Sequence, residues 1–466
     1  MITPLPERFL DRLQRLFAAD GLSLSSAECQ TYGYDNSRQL APAQAVVWPT
    51  SEEQVQDLVR ICRSHRVALT ARGRGTNTTG ASVPVVGGVV ASFERMHQII
   101  EIDPDNRAAV VEPGVINADL QSALAPHGLF WPPDPTSAGY SSIGGNLACN
   151  AGGPRAVKYG ACRDNVLALR AVAGSGELLS CGARTSKAAT GYDLVRLLVG
   201  SEGTLALITA ATLKLVPLPE RRTSLRALYR DADAAAAAVA RLMRQPFTPA
   251  ALEFMDQRSL GLAREVGGAE LPAAGALLLI EVDGSEATLA ASVAAVHKAA
   301  AGAGCLSVEV ADSEAQARQL WSARKALSPA LRQIAPEKIN EDVVVPVSRL
   351  PALVADVQAI SQRHGIPMVS FGHAGNGNLH VNLLFDPARA GEAAAAPRAL
   401  AELFASVLAL GGTLSGEHGI GLAKRPFMAQ AIDPVALAMM RAIKRCFDPD
   451  AVLNPGKLLP EVEPAD

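Results

Sequence analysis

Three glycine-lined segments between residues 71 and 209 constrain this chain more than any other feature of its sequence. The first is Ala71-Arg72-Gly73-Arg74-Gly75-Thr76-Asn77-Thr78-Thr79-Gly80, entered from the short apolar strand Val67-Ala68-Leu69-Thr70. The second runs from Ser142 to Pro154 and contains Gly144-Gly145-Asn146 and Asn150-Ala151-Gly152-Gly153. The third, Gly200-Ser201-Glu202-Gly203-Thr204, leads into the apolar run Leu205-Ala206-Leu207-Ile208-Thr209. Glycine lets successive backbone N–H groups converge on an anion and lets a ligand approach the main chain closely. One such loop would read as an ordinary turn. Three of them, with Pro132-Pro133-Asp134-Pro135 stiffening the approach to the second, imply contact with one long ligand. None spells G-x-G-x-x-G or G-x-x-x-x-G-K-[ST], so a dinucleotide fold of the Rossmann kind and a P-loop are both poorly supported.

A second constellation lies far downstream. Only eight histidines occur in the chain, and three of them fall in Ser370–Asn382 and Ser415–Gly419. Gly375-Asn376-Gly377 has the residues of a tight reversal, which folds His373 and His380 toward each other. Leu379-His380-Val381-Asn382-Leu383 alternates apolar with polar and so places His380 and Asn382 on one strand face. His373, His380 and Glu417 form a donor set suited to a borderline divalent ion, zinc first and manganese second, with a position left for water or substrate. His418, adjacent to Glu417, is then available as a base.

Composition narrows the class. The chain has 466 residues, too many for one core, and is 48% hydrophobic and 19% charged, as in a soluble globular protein. A net charge of −3 gives no footprint for nucleic acid. The seven cysteines are scattered without a C-x-x-C pair, which argues against a disulfide framework and a cysteine-held cluster. The start lacks a signal peptide, and no apolar run reaches about 18 residues, so a cytoplasmic location is expected. Residues 5–19 have helical spacing, Ser51-Glu52-Glu53 opens a helix running to about His65, and Asp231 caps an alanine-rich helix over 234–245. Strand, helix and strand follow over 276–282, 286–302 and 306–311. The helix around Trp321 carries Arg324 and, one turn on, Ser328, a guanidinium and a hydroxyl that can grip one carboxylate.

The loop at 72–80, Pro132-Pro133-Asp134-Pro135, the two parts of the second glycine run and Gly200–Thr204 together resemble the FAD-binding domain of vanillyl-alcohol-oxidase-type flavoproteins. Gly372-His373, Gly377-Asn378-Leu379-His380, Gly416-Glu417-His418-Gly419 and the tail Leu453-Asn454-Pro455-Gly456-Lys457 resemble the D-2-hydroxy-acid dehydrogenase branch, from about residue 40 to residue 460. That branch includes D-lactate dehydrogenase, D-2-hydroxyglutarate dehydrogenase and the flavin subunit of glycolate oxidase. The resemblance implies an α+β protein: an FAD domain, an α/β substrate domain with a ferredoxin-like sheet plus helices, and a C-terminal helical segment returning to the FAD domain. The expected boundaries are 1–220, 221–424 and 425–466.

It further implies that FAD is held, non-covalently, by Arg72, Gly73, Arg74, Gly75, Thr76, Asn77, Gly80, Pro133, Asp134, Ser137, Gly144, Gly145, Asn146, Asn150, Gly152, Gly153, Glu202, Gly203, Ile208 and Asn454. The 72–80 loop has no histidine or cysteine for covalent attachment. Arg324, Ser328, Lys338 and Asn382 are implied for the substrate, and His418 as the base that takes the hydroxyl proton while hydride passes to flavin N5. Ser328 stands where the branch often has threonine, and Asn376 where it commonly has aspartate. The expected partners are a small 2-hydroxy acid and an external electron acceptor, either an electron-transfer flavoprotein, a quinone or an iron–sulfur subunit. An acceptor of that kind would make the protein peripheral to a membrane, and a homodimer is compatible with the sequence. Two alternatives stay open: a flavin oxidase or glycolate oxidase subunit, and a metal-dependent nucleotide-binding or hydrolytic protein.

Overall fold

The computed structural model describes residues 3–18, 20–267 and 273–461. The chain forms two compact units. One comprises Met1–Gly152, Gly160–Leu218 and Glu417–Asp466, the other Gly153–Tyr159 and Pro219–Gly416.

In the first unit a small sheet is built from β1 (Leu22–Ser23), β2 (Ala45–Val47), β3 (Leu69–Arg72) and β4 (Val89–Ser92), in the order β1-β2-β4-β3. β2 and β3 both run parallel to β4, and the helix Glu52–His65 makes the crossover between them. The sequence specifies that helix at both ends. Ser51 accepts from the N–H of Gln54, Glu52 and Glu53 occupy the first turn, and Arg66 closes it in the left-handed conformation. Its stripe of Val55, Leu58, Val59 and Cys62 is buried against β2, β3 and β4.

A second, antiparallel sheet follows from β5 (Ile99–Asp103), β6 (Ala108–Val111), β8 (Val166–Ala173), β9 (Leu178–Gly182) and β10 (Ala206–Lys214), in the order β5-β6-β10-β8-β9. The two-residue strands β7 (Leu129–Phe130) and β11 (Val216–Pro217) pair with each other. Trp131, fully buried, fills the core beneath this sheet and donates its indole N–H to the carbonyl of Asn165 at 3.0 Å. The expected N-terminal helix is present, shortened to Glu7–Leu16.

The second unit is one seven-stranded sheet of β12 (Arg221–Tyr229), β13 (Ala251–Asp256), β14 (Ala276–Gly284), β15 (Cys305–Val310), β16 (Glu337–Val344), β17 (Met368–His373) and β18 (Asn378–Phe385). The order is β15-β12-β14-β13-β17-β18-β16. The first four strands have the ferredoxin-like order, with helices Ala232–Arg244 and Glu286–Ala300 as crossovers. Asp231 caps the alanine-rich helix by accepting from Ala234 at 2.7 Å, and Val239 and Leu242 are among its buried residues. Beyond β13 the sheet is extended by β17, β18 and β16, the strands that bear the histidine hairpin.

The division of the chain differs from the expected boundaries in two places. Gly153–Tyr159 belongs to the second unit because Lys158 and Tyr159 both bind the carboxylate of Asp283 at the end of β14, Tyr159 at 2.7 Å. The return to the first unit comes at Glu417 rather than residue 425, because Thr79, of the first glycine loop, accepts the N–H groups of Leu422 and Ala423 at 2.8 and 3.1 Å. Among the described residues, no helix is long and apolar enough to cross a membrane.

Candidate metal centre and flavin loops

The histidine hairpin forms as the turn residues dictate. β17 ends at His373, a single 3-10 turn covers Ala374–Asn376, and Gly377 reverses the chain at φ +73° before β18 begins. A Cβ at Gly377 would lie 1.9 Å from the carbonyl oxygen of Val345, so no other residue fits. Both imidazoles are buried, their ring centroids 5.1 Å apart and their Nε2 atoms 3.5 Å apart. Ligand atoms of His373, His380 and Glu417 lie within 4.8 Å of one another.

Glu417 is delivered by the two residues before it. Asp342 on β16, fully buried and opposite His380 in the strand register, accepts the hydroxyl of Ser415 and, at 2.9 Å, the N–H of Gly416. A Cβ on Gly416 would sit 2.7 Å from Asn378 Nδ2, so any larger residue here would have to displace the Asn378 side chain.

The side chain behind His373 is Glu253 on β13, which is fully buried. One oxygen takes the Nδ1 of His373 at 2.5 Å and the other the Nε of Arg324 at 2.8 Å. Burial alone would raise the pKa of this carboxyl, but His373 and Arg324 outweigh it and bring it down to about 2. An ionised carboxylate only accepts, so Nδ1 of His373 carries a proton, and its Nε2 faces His380. Two imidazole nitrogens and a carboxylate, with a carboxylate behind one imidazole, suit zinc or manganese by the chemistry of the donors.

Around this centre, Arg324 stacks over Phe371 with its guanidinium carbon 4.6 Å from the ring centroid. Asn382 uses its Nδ2 on the carbonyls of Val369 and His380, both at 3.3 Å. Asn340 faces Asn382 across β16 and β18, and its Oδ1 is buried without a hydrogen-bond partner among the described residues. Lys338 lies two residues earlier on β16, opposite Leu384. Ser328 is on the helix Glu314–Ala330, but its side chain is outside what is described.

In the first unit the polar side chains of the glycine segments bind protein groups on the segments around them. Arg72 donates to the carbonyl of Tyr34 at 2.5 Å, and Arg74 pairs with Glu94 at 2.8 Å. Asn77 Oδ1 accepts from the N–H groups of Thr79 and Ala81, while its Nδ2 holds the carbonyl of His418 at 2.9 Å. Asn146 Oδ1 accepts from Asn117, which also bonds the carbonyl of Pro133. Asn150, at φ +54°, caps the helix Ile143–Cys149 and accepts the N–H of Arg163. The N–H of Asp134 reaches the carbonyl of Gly152 at 2.9 Å, Ser137 accepts from Tyr140 and Ser141, and Ile208 sits in β10 opposite Ala171.

Glu202 adopts φ +54° before Gly203, and its buried carboxylate accepts the N–H groups of Ile420 at 2.6 Å and Gly421 at 2.8 Å. Burial pushes its pKa up to about 7 against the pull of those donors and of Lys424 and Lys457. Asn454 donates to the carbonyls of Ala81 and Glu202 and accepts from Lys457.

Beside these side chains, the loops offer a ligand the glycine backbone. A Cβ on Gly73 would lie 2.5 Å from Ser142 Oγ, and one on Gly144 2.5 Å from the Pro113 side chain, so the first two glycine segments approach as closely as glycine permits. In the first of them Thr78 Oγ1 is buried with no partner among the described residues. An orphaned hydroxyl in a glycine cradle fits a bound cofactor. Glu253 and Asp342 did not emerge from motif reading. The one signal for Glu253 is an acidic residue inside an apolar strand, Ala251-Leu252-Glu253-Phe254-Met255, and Asp342, in the polar run Glu337-Lys338-Ile339-Asn340-Glu341-Asp342, has none.

Comparison with known proteins agrees with this geometry. A profile described as "FAD binding domain" matches residues 43–182, and one described as "FAD linked oxidases, C-terminal domain" matches residues 218–458. The chain is 39% identical over 450 residues to "Glycolate oxidase subunit GlcD" of Bacillus subtilis (strain 168), covering 96% of each. It is 35% identical to "D-lactate dehydrogenase" of Anaerostipes hadrus, covering 90% of each. It is also 35% identical to "D-2-hydroxyglutarate dehydrogenase" of Stutzerimonas stutzeri (strain A1501), covering 96% of this chain and 98% of that one. Among solved structures, p-cresol methylhydroxylase with substrate bound superposes with a TM-score of 0.81 at 17% identity, covering 97% of this chain and 96% of that one, which extends the likeness to the vanillyl-alcohol-oxidase-type fold. The chain belongs to the FAD-linked oxidases and is an FAD-dependent oxidoreductase.

Proposed function

We propose that the protein oxidises a D-2-hydroxy acid to the 2-oxo acid, in the manner of a D-lactate or D-2-hydroxyglutarate dehydrogenase. The observation that carries this reading is the shared carboxylate of Glu253, which sets a His-His-Glu cation site beside a guanidinium. A 2-hydroxy acid presents two chelating oxygens and a carboxylate charge, and this pair of features answers both. When bound, FAD supplies the hydride acceptor, and a divalent ion on His373, His380 and Glu417 supplies Lewis acidity toward a hydroxyl.

The remaining work falls to the chain itself. Arg324 binds the substrate carboxylate through its Nη groups, since Glu253 engages its Nε. Phe371 beneath the guanidinium and Glu253 beside it fix its plane, which in turn fixes the face of Cα that is presented. Asn340, whose Oδ1 is unused, and Lys338 on the same face of β16 are suited to the substrate's far end. Asn382 acts mainly by holding the strand carbonyls beside His380. His418 takes the hydroxyl proton, and Asn77 and Thr79 hold its backbone carbonyl steady. FAD is non-covalent, and electrons leave to an external acceptor.

The GlcD relatives, named as subunits, favour a second reading, in which the chain is the flavin subunit of a larger glycolate-oxidising assembly. Anaerobic bleaching of the flavin absorbance by a panel of D- and L-2-hydroxy acids tests both. Bleaching by D-lactate or D-2-hydroxyglutarate supports the first, bleaching by glycolate alone the second, and no bleaching in metal-replete protein rejects the two together.

A further inference from the structure

We propose that Glu253 is a positioning residue that sets the metal ligand His373 and the substrate-binding Arg324 together. This rests on the reading of the site given above.

The strand β13 makes the case. Ala251, Glu253 and Met255 share one face, and Leu252 and Phe254 share the other; all five are buried and all but Glu253 are apolar. A hydrophobe at position 253 would satisfy the pattern. A fully buried carboxylate instead costs several kcal/mol of desolvation unless it is paired on both oxygens. Here it is paired on both, at 2.5 Å to His373 and 2.8 Å to Arg324. The strand register brings the three together, since Glu253 pairs directly with His373 in the β13–β17 ladder and Arg324 descends from the helix Glu314–Ala330.

Two consequences follow from one side chain. The Nδ1 bond selects the tautomer that leaves Nε2 of His373 for the metal, and the Nε bond leaves the guanidinium's Nη groups for the substrate. Loss of the charge must therefore disturb metal affinity and substrate affinity at once, although Glu253 would touch neither ligand. A glutamine at this position can accept from only one partner, and its amide N–H₂ would oppose the other donor.

The test uses full-length, FAD-loaded protein stripped of metal. In Glu253→Gln, calorimetric titration with Zn²⁺ should show a Kd raised about 10- to 100-fold, the usual range for loss of a carboxylate behind a ligand histidine. At saturating metal, KM for the best hydroxy acid should rise about tenfold with kcat within about threefold, and FAD content should be unchanged. Glu253→Asp, which keeps the charge, should recover part of both effects and serves as the test if the glutamine variant does not fold. The KM effects of Glu253→Gln and Arg324→Ala should be non-additive in the double variant, because they remove one arrangement. Wild-type metal affinity in Glu253→Gln, or fully additive KM effects, overturns the proposal. Failure of the wild-type protein to bind Zn²⁺ at all would instead reject the underlying reading of the site.

Discussion

Asp342 Oδ2 accepts the backbone N–H of Gly416 at 2.9 Å, one residue ahead of Glu417. The same carboxylate holds the hydroxyl of Ser415. A buried charge on β16 thus sets the path of the segment that supplies the third metal donor. Asp342→Asn replaces one acceptor oxygen with a donor and should weaken metal binding about tenfold while FAD stays bound. Titration of the metal-stripped variant measures this, and an unchanged Kd would show that the segment holds its path without Asp342.

His373→Ala, His380→Ala and Glu417→Ala should each abolish metal content and turnover and leave the flavin spectrum intact. The flavin loops are in other segments of the chain. Chelation by EDTA should reproduce the effect, with zinc or manganese restoring activity. Full turnover in a preparation shown by elemental analysis to be metal-free would remove the cation from the mechanism.

His418→Ala should keep metal and substrate affinity within a few fold and lose roughly 10²–10⁴ in the rate of anaerobic flavin reduction. The residual rate should climb with pH as hydroxide replaces the missing base. Loss of the metal in this variant would make His418 a ligand instead.

Gly377→Ala should destabilise the second unit. The residue adopts φ +73°, which costs an L-residue about 1–2 kcal/mol, and its Cβ would strike the Val345 carbonyl at 1.9 Å. A thermal midpoint within one degree of wild type would contradict the hairpin geometry.

Glu202 gives the protein a pH-dependent weakness. Its folded pKa of about 7 lies above the ordinary 4.5 because of burial, so its contribution to stability is fully present below pH 4.5 and is lost as pH rises through 7. Glu202→Gln has no such titration. Between pH 5 and pH 8 the wild type should therefore lose about 2–3 kcal/mol relative to the variant, or about 5 °C in midpoint for a unit of this size. Parallel pH profiles of the two proteins would show that Glu202 is ionised throughout.

The sequence by itself determined the local elements and the donors. Ser51 and Asp231 fixed helix starts, Gly375-Asn376-Gly377 fixed the hairpin that joins His373 to His380, and runs of glycine marked the loops of the FAD-binding region. These features are legible because each depends on residues a few positions apart, through caps, turns and alternation. Only the tertiary structure decided what stands behind the donors. Glu253 meets His373 across 120 positions and Asp342 meets Gly416 across 74, through strand register and packing that no local pattern encodes. It also decided which protein atoms meet Asn77, Asn146, Glu202 and Asn454 beside the cofactor loops: the His418 carbonyl, the Asn117 amide, the Gly421 N–H and the Glu202 carbonyl. Polar groups in buried loops must be satisfied, and which partner satisfies them is settled by the fold and not by the residue type.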